Sequence, residues 1–192
     1  MDTVHFTAIE SPRLVLRRFR QDDAKAFYLY RSDERVYRYQ GEGWENMTPE
    51  KALCFVTEQS KAEPGIPGTW FQIAVEEKAS RSLIGDCGVY TQPGGRQATV
   101  GITISPACQR QGFALETLEC LLAYLFDTLG MEKVETQADA RNAASIGLLE
   151  KAGFLRGAYL PRNAFIRGEW TDDVCFALPR GEFRRKNETS GR

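Results

Sequence analysis

The residues with the most chemical content sit at the head of a helix. Gln109, Arg110, Gln111, Gly112, Phe113 and Ala114 follow a strand-like run, 98–104, and open a long apolar-striped stretch. A helix start leaves its first N–H groups unpaired and carries partial positive charge, so a turn there suits a diphosphate. Gly112 permits close backbone approach, Ala114 keeps side-chain bulk away, and Arg110 can add a charge-assisted contact. Taken alone, the hexapeptide also reads as an ordinary strand-to-helix turn. No Gly-Lys-Ser/Thr follows it, and the glycine spacing of a dinucleotide fingerprint is absent.

Other chemistries find less support. His5 is the only histidine and lies outside the predicted elements, so a His-dependent triad is not expected. The five cysteines, Cys54, Cys87, Cys108, Cys120 and Cys175, are odd in number and never form a C-x-x-C pair. That fits reduced thiols in a cytoplasm rather than a disulfide framework or a zinc site, and no metal is expected. The formal net charge of -1 argues against broad binding to nucleic acid or an anionic membrane. Basic clusters at Arg13, Arg17, Arg18, Arg20 and at Arg180, Arg184, Arg185, Lys186 read as solvated surface. No apolar run is long enough to span a bilayer, and residues 1–10 lack a signal-peptide layout.

The elements that must position the turn follow from patterning. With 192 residues, 42% hydrophobic and 27% charged, the chain suits one domain with a hydrophobic core. Residues 13–19 read as a first strand. Asp22 and Asp23 open a helix carrying Ala24, Phe27 and Tyr30. Thr48 and Pro49 cap and start another. Residues 70–75, 83–90 and 98–104 form an antiparallel meander. Leu115, Leu118, Leu122, Leu125 and Leu129 make one apolar stripe over 112–129, stopped by Gly130. A strand at 134–138, a helix from Asn142 to about Gly153 and a last strand at 174–178 complete an α/β or α+β order. The tail 184–192 reads as frayed.

The run Val100-Gly101-Ile102-Thr103-Ile104-Ser105-Pro106, the hexapeptide and Glu116 together resemble the GNAT acetyltransferase superfamily. Its pyrophosphate loop reads Gln/Arg-x-x-Gly-x-Gly/Ala. Asn142-Ala143-Ala144-Ser145 and Leu149-Glu150-Lys151-Ala152-Gly153-Phe154 are similar to its second signature, at matching spacing. Ser11-Pro12-Arg13-Leu14-Val15-Leu16-Arg17 and Gly168-Glu169-Trp170-Thr171-Asp172 resemble the branch containing the RimJ and RimL ribosomal-protein acetyltransferases. The likeness spans residues 11–179.

The resemblance implies a single-domain GNAT fold over 11–180, with 1–10 and 181–192 as terminal extensions. It implies a twisted mixed sheet of about seven strands and about four helices, splayed into an acyl-CoA cleft. Backbone of Ile102, Thr103 and Ile104 would pair with the pantetheine arm, residues 109–114 would hold the pyrophosphate, and Asn142 would bond the arm or simply cap its helix. The reaction would be attack of an amine on acetyl-CoA, with an acid for the thiolate and a base or water chain for the amine proton. Many relatives have a Tyr as the acid where this chain has Leu149, so Ser145 is the acid candidate. The strand position where some carry a Glu is Gln137, leaving Glu135, Asp86 or a water relay. Trp44, Tyr159, Arg162 and Arg167 are candidate acceptor-wall residues, the arginines fitting a negative group on the substrate. A protein N-terminus, an antibiotic, a polyamine and an amino acid remain open as acceptors. So do a non-catalytic acyl-CoA-binding domain and a monomeric or homodimeric state.

Overall fold

Period-two alternation along the strands decides two layers. In the computed structural model, which describes residues 6–41 and 43–190 (side chains through 186), an eight-stranded sheet runs β1-β2-β3-β4-β5-β6-β8-β7. The strands are β1 (Ala8–Glu10), β2 (Leu14–Arg17), β3 (Trp70–Glu77), β4 (Ser82–Thr91), β5 (Gln97–Ile104), β6 (Lys133–Asp139), β7 (Leu155–Ile166) and β8 (Glu169–Pro179). Helices α1 (Ala24–Arg31), α2 (Glu34–Tyr37) and α3 (Pro49–Gln59) come first. They are followed by α4 (Phe113–Ala123), α5 (Ala143–Ala152) and α6 (Arg180–Ser190). Only the β5–β6 pair is parallel.

On one sheet face Leu14, Ile73, Cys87, Val100, Val134 and Phe176 pack against Leu118, Leu121, Leu122 and Leu125. On the other face Ala74 and Phe19 pack under Phe27, Tyr30, Ala52 and Val56 of α1 and α3. This second layer is pinned by a buried ion pair. Arg31 Nε donates to Asp86 Oδ1 at 3.1 Å, Arg31 Nη2 donates to Oδ2, and Tyr30 OH adds a 2.7 Å bond to Oδ1. Arg31 is 4% exposed and Asp86 0%, so each charge depends on the other for compensation.

Local signals place the helices as expected. Thr48 Oγ1 accepts from Lys51 N at 3.3 Å with Pro49 at the first position. Asn142 Oδ1 accepts from Ser145 N at 3.1 Å, and Gly153 ends α5 at φ 93°. The leucine stripe is helical from Leu115 to Leu125, but α4 ends at Ala123, a π-turn covers Tyr124–Thr128, and Leu129 caps its end.

Three expectations change. Among the described residues the sheet has eight strands, beside the expected about seven, with six α-helices beside the expected about four. The extra length lies in β1 and β7. β7 is an edge strand whose residues are nearly all exposed, with two register breaks against β8, so it shows no period-two alternation. Residues 6–10 and 180–190 are also part of the fold. β1 pairs with β2, Phe6 is buried, and residues 180–190 form α6 rather than a frayed tail. His5 lies outside the described residues.

Phe183 of α6 is 6% exposed and stacks on Phe126 at 4.8 Å. Phe183→Ala is expected to cost about 3–5 kcal/mol in urea denaturation. An unchanged midpoint would show that α6 is a dispensable appendage.

Candidate active site

The site begins where two strands part. β5 and β6 pair only at Gln97↔Lys133, Ala98↔Val134 and Thr99↔Glu135. β5 stays paired to β4 as far as Gly85↔Ile104, and β6 stays paired to β8 as far as Asp139↔Asp173. The facing edges beyond the shared stretch therefore have no strand partner. Thr136 closes the fork by donating its hydroxyl to the Val100 carbonyl at 2.8 Å. A Cβ at Gly85 would lie 2.2 Å from the Thr103 carbonyl oxygen, so only glycine allows β4 to follow β5 along the opening. An open edge inside a sheet can take an extended ligand as an extra strand.

The mouth of this fork holds the turn 105–112. Arg110 and Gly112 both adopt left-handed backbone, φ 61° and 84°. Gly112 is the N-cap of α4 and has no side chain to cap it, so the first helical N–H groups stay open. Left-handed residues before a helix turn successive N–H groups inward, which favours an anion. The turn is braced from both ends. Gln109 Nε2 donates to the Ile104 carbonyl at 2.9 Å, and Gln111 Nε2 donates to the Ala107 carbonyl at 3.2 Å. Arg13 Nη1 donates to the Gln111 carbonyl at 3.0 Å and its Nε to Glu116 Oε2 at 2.7 Å, and its guanidinium lies over Phe113 at 4.4 Å. Glu116 Oε1 also accepts from Ser11 Oγ and Arg13 N, each at 2.7 Å. Burial pushes the Glu116 carboxyl up, but these hydrogen bonds outweigh it and leave the group below its usual range. Sequence reading placed Arg13 in a solvated cluster; its partners are about a hundred residues away, beyond any local pattern.

Across the mouth stands the head of α5. Asn142 caps it, and the Ser145 hydroxyl, half-buried, has no hydrogen-bond partner among the described residues. Leu149 is buried in the core, so no phenol stands at that place.

Several named candidates are already engaged elsewhere. Asp86 is wholly buried, and Arg31, Tyr30 and Gln72 take both its oxygens; it locks α1 to the sheet and does not face the cleft as a base. Burial, with the charge of Asp86, also drives the Tyr30 phenol well above its ordinary value. Glu135 lies in the paired stretch before the fork and binds Lys133 Nζ at 2.7 Å. Trp44 packs on Phe27 and Phe55 with the Arg31 guanidinium 4.0 Å over its ring, which makes it a loop anchor. Arg162 lies over Trp170, while Arg167 donates to the Arg38 carbonyl and lies over Tyr37. Arg167 is thus engaged by the chain itself, whereas the Arg162 guanidinium has no hydrogen bond or ion pair among the described residues. Tyr159 donates its hydroxyl to Asp172.

The face that α1 and α3 share is instead rich in carboxylates near the fork. Arg141 pairs with Asp139 Oδ2 and Glu169 Oε1, both at 2.7 Å. Burial raises the Asp139 carboxyl, and the Arg141 bonds more than reverse this. Asn163 Nδ2 bridges Gln137 Oε1 at 3.3 Å and Asp173 Oδ2 at 2.7 Å. A further link ties the loop after α2 to the open edge: Arg31 Nη1 donates to Gln40 Oε1 at 2.6 Å, and Gln40 Nε2 donates to Thr103 Oγ1 at 3.1 Å. Sequence reading had placed Asn163 beside Tyr159, Arg162 and Arg167 in the likely acceptor wall and Gln40 in the loop before Trp44, but it singled out neither Arg141 nor Asp173. Only Arg141, adjacent to Asn142, had a local signal.

Known proteins share this architecture. The family profile described as Acetyltransferase (GNAT) domain matches residues 13–155. An uncharacterized N-acetyltransferase of Bacillus subtilis, YoaA, is 30% identical over 90% of this chain and 97% of its own. A GNAT-family acetyltransferase structure from Bacillus anthracis superposes with TM-score 0.83 at 24% identity, covering 92% of this chain and all of that one (100%). Spermidine N-acetyltransferase from Vibrio cholerae, in complex with CoA and spermine, gives 0.78 at 20% over 91% and 99% of the two chains. RimL, a ribosomal L7/L12 α-N-protein acetyltransferase in complex with coenzyme A, gives 0.77 at 16% over 90% and 97%.

Glu116→Gln is expected to lower stability at pH 7 by about 2 kcal/mol, since it weakens charge-assisted bonds. The folded-state value of Glu116 is depressed, so its contribution is full above the unfolded value of about 4.3 and fades as pH falls through the folded value. Denaturation at pH 7 and pH 3 measures this. An equal gap between wild type and variant at both would show that the carboxylate charge is not what braces the turn.

Proposed function

The chain belongs to the GNAT acetyltransferase family, and on that premise we propose that it moves an acetyl group from acetyl-CoA to a primary amine by direct attack. The observation that carries this reading is the open fork between β5 and β6, with the uncapped head of α4 at its mouth. The CoA-bound relatives in this fold support the same choice of co-substrate.

The fork fits an extended arm, and the turn fits a diphosphate. Open backbone groups among Ile102, Thr103 and Ile104 would hold the pantetheine as an added strand. Gln109, Arg110, Gln111, Gly112, Phe113 and Ala114 would hold the pyrophosphate through backbone N–H groups, with Arg110 adding charge. Asn142 would meet the arm from the far side while capping α5. The thioester supplies an activated acetyl carbonyl. Backbone N–H groups on the open edge are placed to receive its oxyanion as the amine adds. Ser145, with its hydroxyl free, is the candidate donor to the departing thiolate.

The carboxylates Asp139, Asp172, Asp173 and Glu169 favour an acceptor that arrives as a cation, as a small polyamine does. A protein N-terminus, as in the RimJ/RimL branch, is the second reading. It is favoured by the exposed Phe165–Trp170 pair on the β7–β8 hairpin, an apolar surface that a polypeptide can cover.

Acetyl-CoA and CoA, but not ATP, are expected to raise the thermal midpoint, by about 2.7 kcal/mol of stabilisation at a hundred times the dissociation constant. No shift at millimolar acetyl-CoA would refute the cleft assignment. Ser145→Ala should keep that shift and lower kcat by about a hundredfold or more in a thiol-release assay. An unchanged rate removes Ser145 as the acid.

A further inference from the structure

One buried charge in the acceptor wall has no counter-charge. Asp173 is 8% exposed, yet among the described residues its carboxylate has one hydrogen bond, from the Asn163 amide to Oδ2 at 2.7 Å. No Lys or Arg nitrogen pairs with it among the described residues. Its register partner on β6 is a second carboxylate, Asp139, and like charges opposite each other on two strands repel. Arg141 answers Asp139 and Glu169 and leaves Asp173 alone. A buried carboxylate without a cation is costly, and every other buried acid here has one: Asp23 has Arg17, Asp86 has Arg31 and Asp139 has Arg141. Among the described residues no Lys or Arg supplies that compensation at Asp173, which leaves room for a cation from a ligand.

Its position says which cation. Asn163 links Asp173 directly to Gln137, whose side chain is exposed on the same sheet face, beyond the point where β5 and β6 part. Gln137 is an amide and takes no proton. The groups around Asp173 are Gln137 and Asp139 from β6, and Arg141 from the turn after it. Asn163 comes from β7 and Asp172 is next to Asp173 on β8; Glu169 and Tyr159 lie further out, on Arg141 and Asp172. Arg141 is committed, and Tyr159 already donates to Asp172.

We propose that Asp173 is the residue that receives the acceptor amine, pairing with its ammonium and carrying away the proton that must leave before attack. This rests on the acetyl-transfer reading above. The proton count closes. The ammonium gives one proton to Asp173, which passes it to water. The freed nitrogen forms its C–N bond to the acetyl carbon and the C–S bond breaks. Nitrogen then sheds a second proton, and the departing thiolate gains one.

The test compares wild type, Asp173→Asn and Asp173→Glu as full chains. The probes are spermidine and a serine-initiated peptide, with thermal shift by acetyl-CoA and by each amine in the presence of CoA. Asp173→Asn removes repulsion with Asp139, so its unliganded midpoint should not fall, and it should keep the acetyl-CoA shift. It should lose the amine-induced shift and about a hundredfold to ten-thousandfold in kcat/KM, together with the acidic limb of the kcat/KM profile. Asp173→Glu should recover part of both. A rate within twofold of wild type with an unchanged pH profile overturns the assignment. So does loss of the acetyl-CoA shift in Asp173→Asn, which would mark a structural role. A wild type that shifts with acetyl-CoA but neither binds nor acetylates either amine also overturns it and leaves the cleft intact. A wild type with no acetyl-CoA shift refutes the cleft reading itself.

Discussion

The parting of β5 from β6 after three paired residues governs the rest of the structure. Backbone groups in a sheet interior demand partners, and a gap there is tolerated only when something fills it. The neighbours hold the gap open from both sides. β4 keeps β5 straight through the Gly85 contact, and β8 pairs with β6 along its whole length. Each arm of the fork thus belongs to a stable half-sheet. The helices α4 and α5 then stand with their N-termini at the mouth, because each follows directly from the open end of one arm. Positive helix ends and unpaired strand edges converge without any side chain being required to bring them together.

Side chains enter as braces. The Arg13–Glu116–Ser11 set fixes the turn before α4 against the start of β2. The Arg31–Asp86 pair performs the same service on the opposite face, and its second arm runs through Gln40 to Thr103 on the open edge. Arg13, which reads as solvated surface in the sequence, and Asp86, which reads as a candidate base, are therefore both structural. Breaking either leaves an uncompensated charge, which is why such pairs constrain geometry more than they add stability.

The acceptor wall obeys different electrostatics. There carboxylates outnumber their cations, and Arg141 must serve two of them. In a folded interior such an imbalance is unfavourable unless a ligand corrects it. Of the arginines read as fitting a negative group, Arg167 donates to a backbone carbonyl and Arg162 lies over an aromatic ring.

Much of the scaffold was legible in the chain itself, because its signals are local. The Thr48–Pro49 start, the Asn142 cap with Gly153 as stop, the leucine stripe of α4 and the glycine turn at its head each depend on neighbours within a few residues. The family signatures lie in these same segments, so the cleft could be placed before any coordinate. β7 escaped notice because an exposed edge strand needs no alternation. The roles of Asp86, Arg13, Gln40 and Asp173 escaped because a charge is defined by what surrounds it, and those partners come from strands and helices far along the chain. Sequence determined which backbone segments build the fork; only the tertiary structure decided which charges are paired inside the protein, because their partners come from distant segments.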